Sequence, residues 1–332
     1  MELNKISEKR ACFLASTPLQ LICCSEAREH YKITHPLLVM VKPDNKPTVD
    51  QMKRLADRLG WKDDQIIWMK KNTYYLRLPF VIRHLKTIPF DYIFSGYLGS
   101  PAQEAIYSNI NAELICVDDG MATIFLVERF RKYGFTTSIK KKKRTLLKFL
   151  GVNVPENQTR EELHFYTFFG LEPDNKVSIE INNLSLLRRL FTHEHKEQGK
   201  EAVGFIGQPF REENAYVDLS ERIKRLIAAH PNKQLVYFPH RKEDIKQLKV
   251  AFSGLDIEIF SAEWPIEIEI AKSPLNFTFL YSYISTALFT IKKLIPEINV
   301  HQVNSDLDFT KREFYDTAQK VLINEGINIT DI

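Results

Sequence analysis

The stretch Glu113-Leu114-Ile115-Cys116-Val117-Asp118-Asp119-Gly120 is an apolar run that ends in two acids and a glycine. It reads as a buried strand followed by a tight turn. In an open α/β sheet, the loop leaving the carboxyl end of a strand is where ligands sit. A carboxylate placed there can take a proton from a substrate hydroxyl. Gly120 supplies backbone freedom where the turn calls for a positive φ. The same residues also suit an ordinary strand exit, because Asp and Gly are common in turns.

Working outward, short β-rich runs alternate with amphipathic ones. Strand-like segments are ACFLA (11–15), LLVMV (37–41), IIWM (66–69), DYIFS (91–95) and ELICV (113–117). Helical patterns lie between them near 18–31, 50–59, 74–87 and 101–110, with Pro18 and Pro101 at first-turn positions where proline is tolerated. Alternation of this kind predicts a parallel, doubly wound sheet. Residues 135–200 break the rhythm, with a basic run, a helix near 141–150 and an aromatic strand LHFYTFF (163–169), and read as a connection between domains. Alternation resumes at AVGFIG (202–207) and continues through QLVYF (234–238), IEIF (257–260), NFTFLY (276–281) and INVHQV (298–303) to a terminal helix near 309–325. The expected architecture is two Rossmann-like halves: 1–190, carrying the connector at about 135–200, and 200–332. Two such halves facing one another make a cleft suited to a nucleotide-linked substrate. The long interruption argues against a TIM barrel.

Composition agrees with a soluble globular protein. A length of 332 residues suits two domains. A net charge of +4 is too small to point to nucleic acid. Cys12, Cys23, Cys24 and Cys116 lie in apolar stretches without the paired spacing of a zinc site, and read as buried thiols in a reducing compartment. The opening MELNKISEKR is polar, unlike a secretory leader. Ser273–Ile291 is weakly charged but holds proline, asparagine and hydroxyl residues, and reads as a strand and helix rather than a membrane span.

Several polar residues fall at predicted strand ends, and their shared position is the signal. Thr17 follows the first strand, Asp118, Asp119 and Gly120 follow ELICV, Gly207 and Gln208 follow AVGFI, and His240-Arg241 follow LVYFP. Ser285 and Thr286 open a helix. Hydroxyls there serve as N-caps, and the same geometry binds phosphate through free N–H groups and the helix dipole. His240 could donate to such a phosphate, with Arg241 and Lys242 favouring an anion. His193-Glu194-His195 and Asp306-Leu307-Asp308 have a metal-like look but read as polar connector and N-cap region, so no metal and no cofactor are expected. The run Lys140-Lys141-Lys142-Lys143-Arg144 suits either a solvated face or contact with anionic lipid headgroups.

On STPLQLI, VDDG, FIGQPF, WPIEIEI and YSYISTAL, the chain resembles bacterial lipooligosaccharide sialyltransferases of glycosyltransferase family 52. The resemblance implies a GT-B fold, a CMP-sialic acid donor and an inverting, metal-independent transfer. It implies Asp118 as general base, Asp119 as its orienting partner, His240, Ser285 and Thr286 on the CMP phosphate, and Glu267 on the ribose. One position departs from the family pattern. The family has proline after the histidine, whereas here Pro239 precedes His240 and Arg241 follows it. His230-Pro231 precedes its strand and should sit at the opposite edge of the sheet. The implied partners are a CMP-sugar donor and a glycolipid or oligosaccharide acceptor, with room for a homodimer. The implied location is the cytoplasm, at the inner face of the bacterial inner membrane. Another GT-B transferase using UDP-glucose or a CMP-nonulosonate, a nucleotide-sugar epimerase, and a non-catalytic polysaccharide-assembly subunit remain as alternatives.

Overall fold

The structure, a computed structural model, describes residues 8–42, 46–70, 73–135, 137, 139–155, 160–192, 199–208, 214–304 and 312–332. The chain divides into two compact units, Met1–Leu186 and Leu187–Ile332.

In the first unit the order is β1 (Arg10–Ala15), α1 (Pro18–His30), β2 (His35–Lys42), α2 (Lys46–Arg58), β3 (Ile66–Lys70), α3 (Tyr74–Leu85), β4 (Tyr92–Ser95), α4 (Pro101–Tyr107), β5 (Glu113–Val117), α5 (Ala122–Tyr133), α6 (Lys141–Phe149), β6 (Leu163–Thr167) and β7 (Val177–Ile181). The seven strands are all parallel in the order β3-β2-β1-β4-β5-β6-β7. Helices cover both faces of such a sheet, so its strands are apolar along their length. Accordingly, Ala11 to Ala15 are each no more than 1% exposed. Phe13 stacks on Phe94 of β4 at 4.7 Å between centroids. Helix α1 begins where Thr17 caps it and Pro18 fixes its first turn.

Helix α7 (Ser185–Phe191) leads into the second unit. There follow β8 (Glu201–Ile206), α8 (Asn214–Ala229), β9 (Gln234–Phe238), α9 (Ile245–Ala251), β10 (Glu258–Ile259), α10 (Ile266–Lys272), β11 (Asn276–Ser282), α11 (Thr286–Leu294), β12 (Asn299–Val303), α12 (Arg312–Asn324) and β13 (Asn328–Thr330). The six strands are parallel in the order β10-β9-β8-β11-β12-β13. Phe205 and Tyr237 stack inside it, and Tyr283 meets Phe205 edge-on.

Both sheets are the doubly wound α/β type expected. The strand order reverses between β1 and β4 in one and between β8 and β11 in the other, and ligands of such sheets bind outside these switch points. The reading of 135–200 as a connection needs correction. Leu163, Phe165, Tyr166, Phe168 and Phe169 are buried, and β6 and β7 extend the first sheet. Helix α5 and strand β7 also escape the alternation pattern, because VERFRKY and SIE dilute their apolar faces with charge. All four cysteines are buried and none forms a disulfide. Among the described residues no helix is long and apolar enough to cross a membrane.

Candidate functional site

In the first unit the residues that the sequence singled out lie at the carboxyl ends of β1 and β5, and side chains from the ends of β4 and β6 join them. Gly120 has φ +65°, so the turn after β5 uses the left-handed region that glycine enters without strain. The two acids before it lie in different environments. Asp118 is fully buried. One carboxylate oxygen accepts from Thr167 Oγ1 at 2.6 Å and the other from the Phe168 N–H at 2.8 Å. The Thr123 hydroxyl donates to it as well. Burial outweighs these donors and pushes Asp118 up to about 7, with Asp119 adding to the rise. Asp118 thus ties β5 to β6 and to the first turn of α5.

Asp119 is only half-buried. Its backbone N–H donates to Thr123 Oγ1 at 3.0 Å, which fixes the turn. Burial pushes its carboxyl up to about 6, against the lowering effect of Gln20. Gln20 Nε2 donates to Asp119 Oδ1 at 2.6 Å. The orientation of that amide is set by its other end: Gln20 Oε1 accepts from the Ser16 N–H at 2.7 Å and from Gln103 Nε2 at 3.2 Å. Gln103 Oε1 accepts in turn from Ser95 Oγ at 2.8 Å and the Tyr97 N–H at 2.9 Å. This amide relay crosses the switch point and ends on Asp119. Gly96 leaves it room, because a Cβ there would lie 2.5 Å from Gln20 Cγ. Thr17 accepts from the Gln20 N–H at 3.2 Å and is half-buried beside the relay.

The sequence reading gave proton transfer to Asp118 and orientation to Asp119. Exposure divides the pair the other way. A base must touch the hydroxyl it deprotonates, and Asp118 has neither exposed surface nor an oxygen without a donor.

In the second unit the strand ends of β8, β9 and β11 lie side by side, with Ile206 paired to both Phe238 and Ser282. Ser285 caps α11, accepting from the Ala287 N–H at 3.3 Å, and both Ser285 and Thr286 are half-buried. His240 Nδ1 accepts from the Lys242 N–H at 3.2 Å, so the neutral ring carries its proton on Nε2. Burial lowers the His240 pKa, and Arg241 and Lys242 lower it further. Glu243, missed in the sequence, anchors this turn. It accepts from Tyr237 Oη at 2.7 Å and from the His240 N–H at 2.6 Å, and burial pushes it up to about 7. Gly207 is required beside it, since a Cβ would collide with Glu243 and Tyr237. Gln208 follows, half-buried. Glu267 is buried in α10, accepts from Thr290 Oγ1 of α11 at 2.9 Å, and is raised by burial. That bond locks α10 to α11 and leaves Glu267 mostly enclosed.

His230 precedes β9, away from His240, with Nε2 3.0 Å from Tyr281 Oη. His193-Glu194-His195 and Asp306-Leu307-Asp308 fall outside the described residues. Among the described residues, no cluster of three or more histidine, cysteine or acidic side chains suits a metal ion.

Solved structures with the same two-domain architecture include the MnaA–UDP co-structure of S. aureus, at TM-score 0.57 and 13% identity, over 95% of this chain and 88% of that one. They also include a sialyltransferase GT-B domain from Photobacterium damselae, at TM-score 0.52 and 11% identity, over 97% and 98% of the two chains. A third is the 2,6-sialyltransferase of Photobacterium sp. JT-ISH-224, in a ternary complex with CMP and lactose, at TM-score 0.52 and 12% identity over 97% and 78%. At these identities the likeness establishes the GT-B fold. No curated protein matches the sequence significantly. The strand-end acids and the capped helix N-terminus thus stand on a glycosyltransferase fold, and the family model Glycosyltransferase family 52 matches residues 58–307, so the chain belongs to that family of glycosyltransferases.

Proposed function

We propose that the protein transfers sialic acid from CMP-sialic acid to a sugar hydroxyl of a bacterial surface glycan, with Asp119 accepting the proton. The observation that carries this reading is the division of labour within the acidic pair. One acid is sealed and triply hydrogen-bonded, and its neighbour is half-buried, held by one amide and raised to about 6. A carboxyl near 6 is ionised at neutral pH and is a stronger base than an ordinary aspartate.

In the proposed reaction the acceptor oxygen bonds to the anomeric carbon of the donor sugar as the bond to the phosphate oxygen breaks. CMP leaves with the electron pair, and the acceptor proton passes to Asp119. Charge developing on the phosphate would be met by the α11 N-terminus, the Ser285 and Thr286 hydroxyls and the His240 Nε2–H. His240 suits this role as a neutral donor whose tautomer is set by the Lys242 N–H. Glu243 and Gly207 shape the turn, Gln208 and Thr17 line the two strand-end sites, and Glu267 is assigned to the ribose. A monophosphate leaving group handled by these donors calls for no divalent cation, whereas a diphosphate would more often need one. A lipid-linked acceptor would be met at the inner face of the bacterial inner membrane.

The test is a thermal-shift screen with CMP, CDP, UDP and GDP. A ligand that binds only the folded state raises its stability by about 2.7 kcal/mol at a hundred times its Kd. CMP is expected to give the largest rise in Tm. A larger rise with UDP would move the donor to a UDP-sugar, and no rise with any nucleotide would favour a non-catalytic subunit.

A further inference from the structure

Helices α3 and α6 touch through Lys143, whose ammonium donates to Tyr75 Oη and lies 4.8 Å from the centre of its ring. Each presents large apolar side chains to solvent. On α3, Leu76 is 71% and Phe80 73% exposed, one turn apart on one face. On α6, Phe149 is 87% and Leu146 51% exposed, again on one face, while Leu147 anchors the helix in the core. Neither helix contains an acidic residue. The cations Arg77 and Arg83 lie on α3, where Arg77 donates to the Trp68 carbonyl, and Lys141, Lys142, Lys143, Arg144 and Lys148 lie on α6 beside the apolar side chains in sequence. Apolar groups at this exposure mark an interaction site rather than ordinary surface.

We infer that this two-helix face docks on an anionic lipid bilayer, with Phe80 and Phe149 entering the headgroup–acyl boundary and the lysines meeting lipid phosphates. Charge complementarity selects this occupant. A protein groove would pair the cations with specific acids, whereas an interface of uniform negative charge accepts exposed lysines such as Lys141, Lys142 and Lys148, on helices that hold no acid, without a fixed register. Aromatic side chains with their apolar bodies exposed supply the insertion energy that cations alone lack, and two weak signals together give stable anchoring. A lipid-linked acceptor, as proposed above, gives this face a purpose, but its geometry stands without that reading.

The experiment is co-sedimentation of the full chain with vesicles of phosphatidylethanolamine containing about 30 mol% phosphatidylglycerol, against pure phosphatidylcholine, in low and high salt. The wild type is expected to bind the anionic vesicles at least about tenfold more tightly, and less so in high salt. Phe80→Ser/Phe149→Ser and Lys141→Glu/Lys142→Glu/Lys148→Glu, with Tm unchanged, are each expected to lower binding about tenfold or more. Nucleotide-induced thermal shifts should be the same in all three proteins, which separates this surface from the donor site. Equal binding to neutral vesicles, or binding unaffected by either variant, would overturn the inference. So would a dimer in solution that the phenylalanine variant abolishes while vesicle binding persists.

Discussion

Gln20→Met should displace the acid limb of the transfer reaction upward. Gln20 is 2% exposed, and methionine fills nearly the same volume. The change removes the 2.6 Å donor to Asp119 Oδ1. A hydrogen bond to a charged group contributes about 1.5–3 kcal/mol, and one pKa unit corresponds to about 1.4 kcal/mol. The lost bond favoured the ionised form, so Asp119 should rise by about 1–2 units from its value of about 6. At pH 6 the rate should fall roughly 5- to 50-fold, and above about pH 8.5 most of it should return. The Ser16 N–H also loses its acceptor, costing about 1–3 kcal/mol, while Gln103 Nε2 keeps its bond to Ser16 Oγ. That cost lowers Tm but cannot move a pH profile. The assay is kcat/KM for transfer between pH 5 and 9, beside a thermal melt. A lowered Tm with the acid limb unmoved would refute Gln20 as a positioning residue for the base.

Thr167→Val should destabilise the first unit by about 1–3 kcal/mol, measured by urea unfolding, because Asp118 loses its 2.6 Å donor in a buried site. Asp118 and Glu243 are both raised to about 7 in the folded chain, so the stability they contribute is full below their unfolded values and lost as pH rises through about 7. Tm should therefore be higher at pH 6 than at pH 8, and Asp118→Asn should shrink that difference; an unchanged difference would count against the buried acid. Replacing Ser285 and Thr286 together by alanine should weaken CMP binding by roughly 1–3 kcal/mol in calorimetry, and unchanged affinity in a folded variant would remove them from the phosphate. Transfer should survive excess EDTA; complete loss restored by manganese or magnesium would point to a metal-dependent UDP-sugar donor.

Much of this was legible in the chain. Both parallel sheets follow from the alternation of runs such as ACFLA and LLVMV with amphipathic segments, and the turn at Gly120 from its place after two acids. The capping role of Ser285 follows from a hydroxyl before an apolar helix. The roles within the acidic pair were not legible, because what separates Asp118 from Asp119 is supplied from a distance. Thr167 and the Phe168 N–H lie about 50 residues on, in a stretch whose aromatic richness concealed a functional threonine. Gln20 and Gln103 are polar residues in the first turns of their helices, and a lone glutamine carries no local mark of an 83-residue partnership. Glu243 sits in PHRKEDI, where charge density suggests a solvated loop. Its burial depends on Gly207 from a neighbouring strand.

The central claim is that Asp119 accepts the acceptor's proton while Asp118 holds the turn. Single-turnover transfer from CMP-sialic acid to a lactose-terminated acceptor, measured in parallel for Asp119→Asn and Asp118→Asn, tests it most directly. Asp119→Asn is expected to lower the rate at least about a hundredfold with CMP affinity and Tm nearly unchanged. Asp118→Asn is expected to show its main effect in Tm and to retain more transfer than Asp119→Asn. Near-normal transfer by Asp119→Asn, with the larger loss in a well-folded Asp118→Asn, would contradict the account and return the base to Asp118.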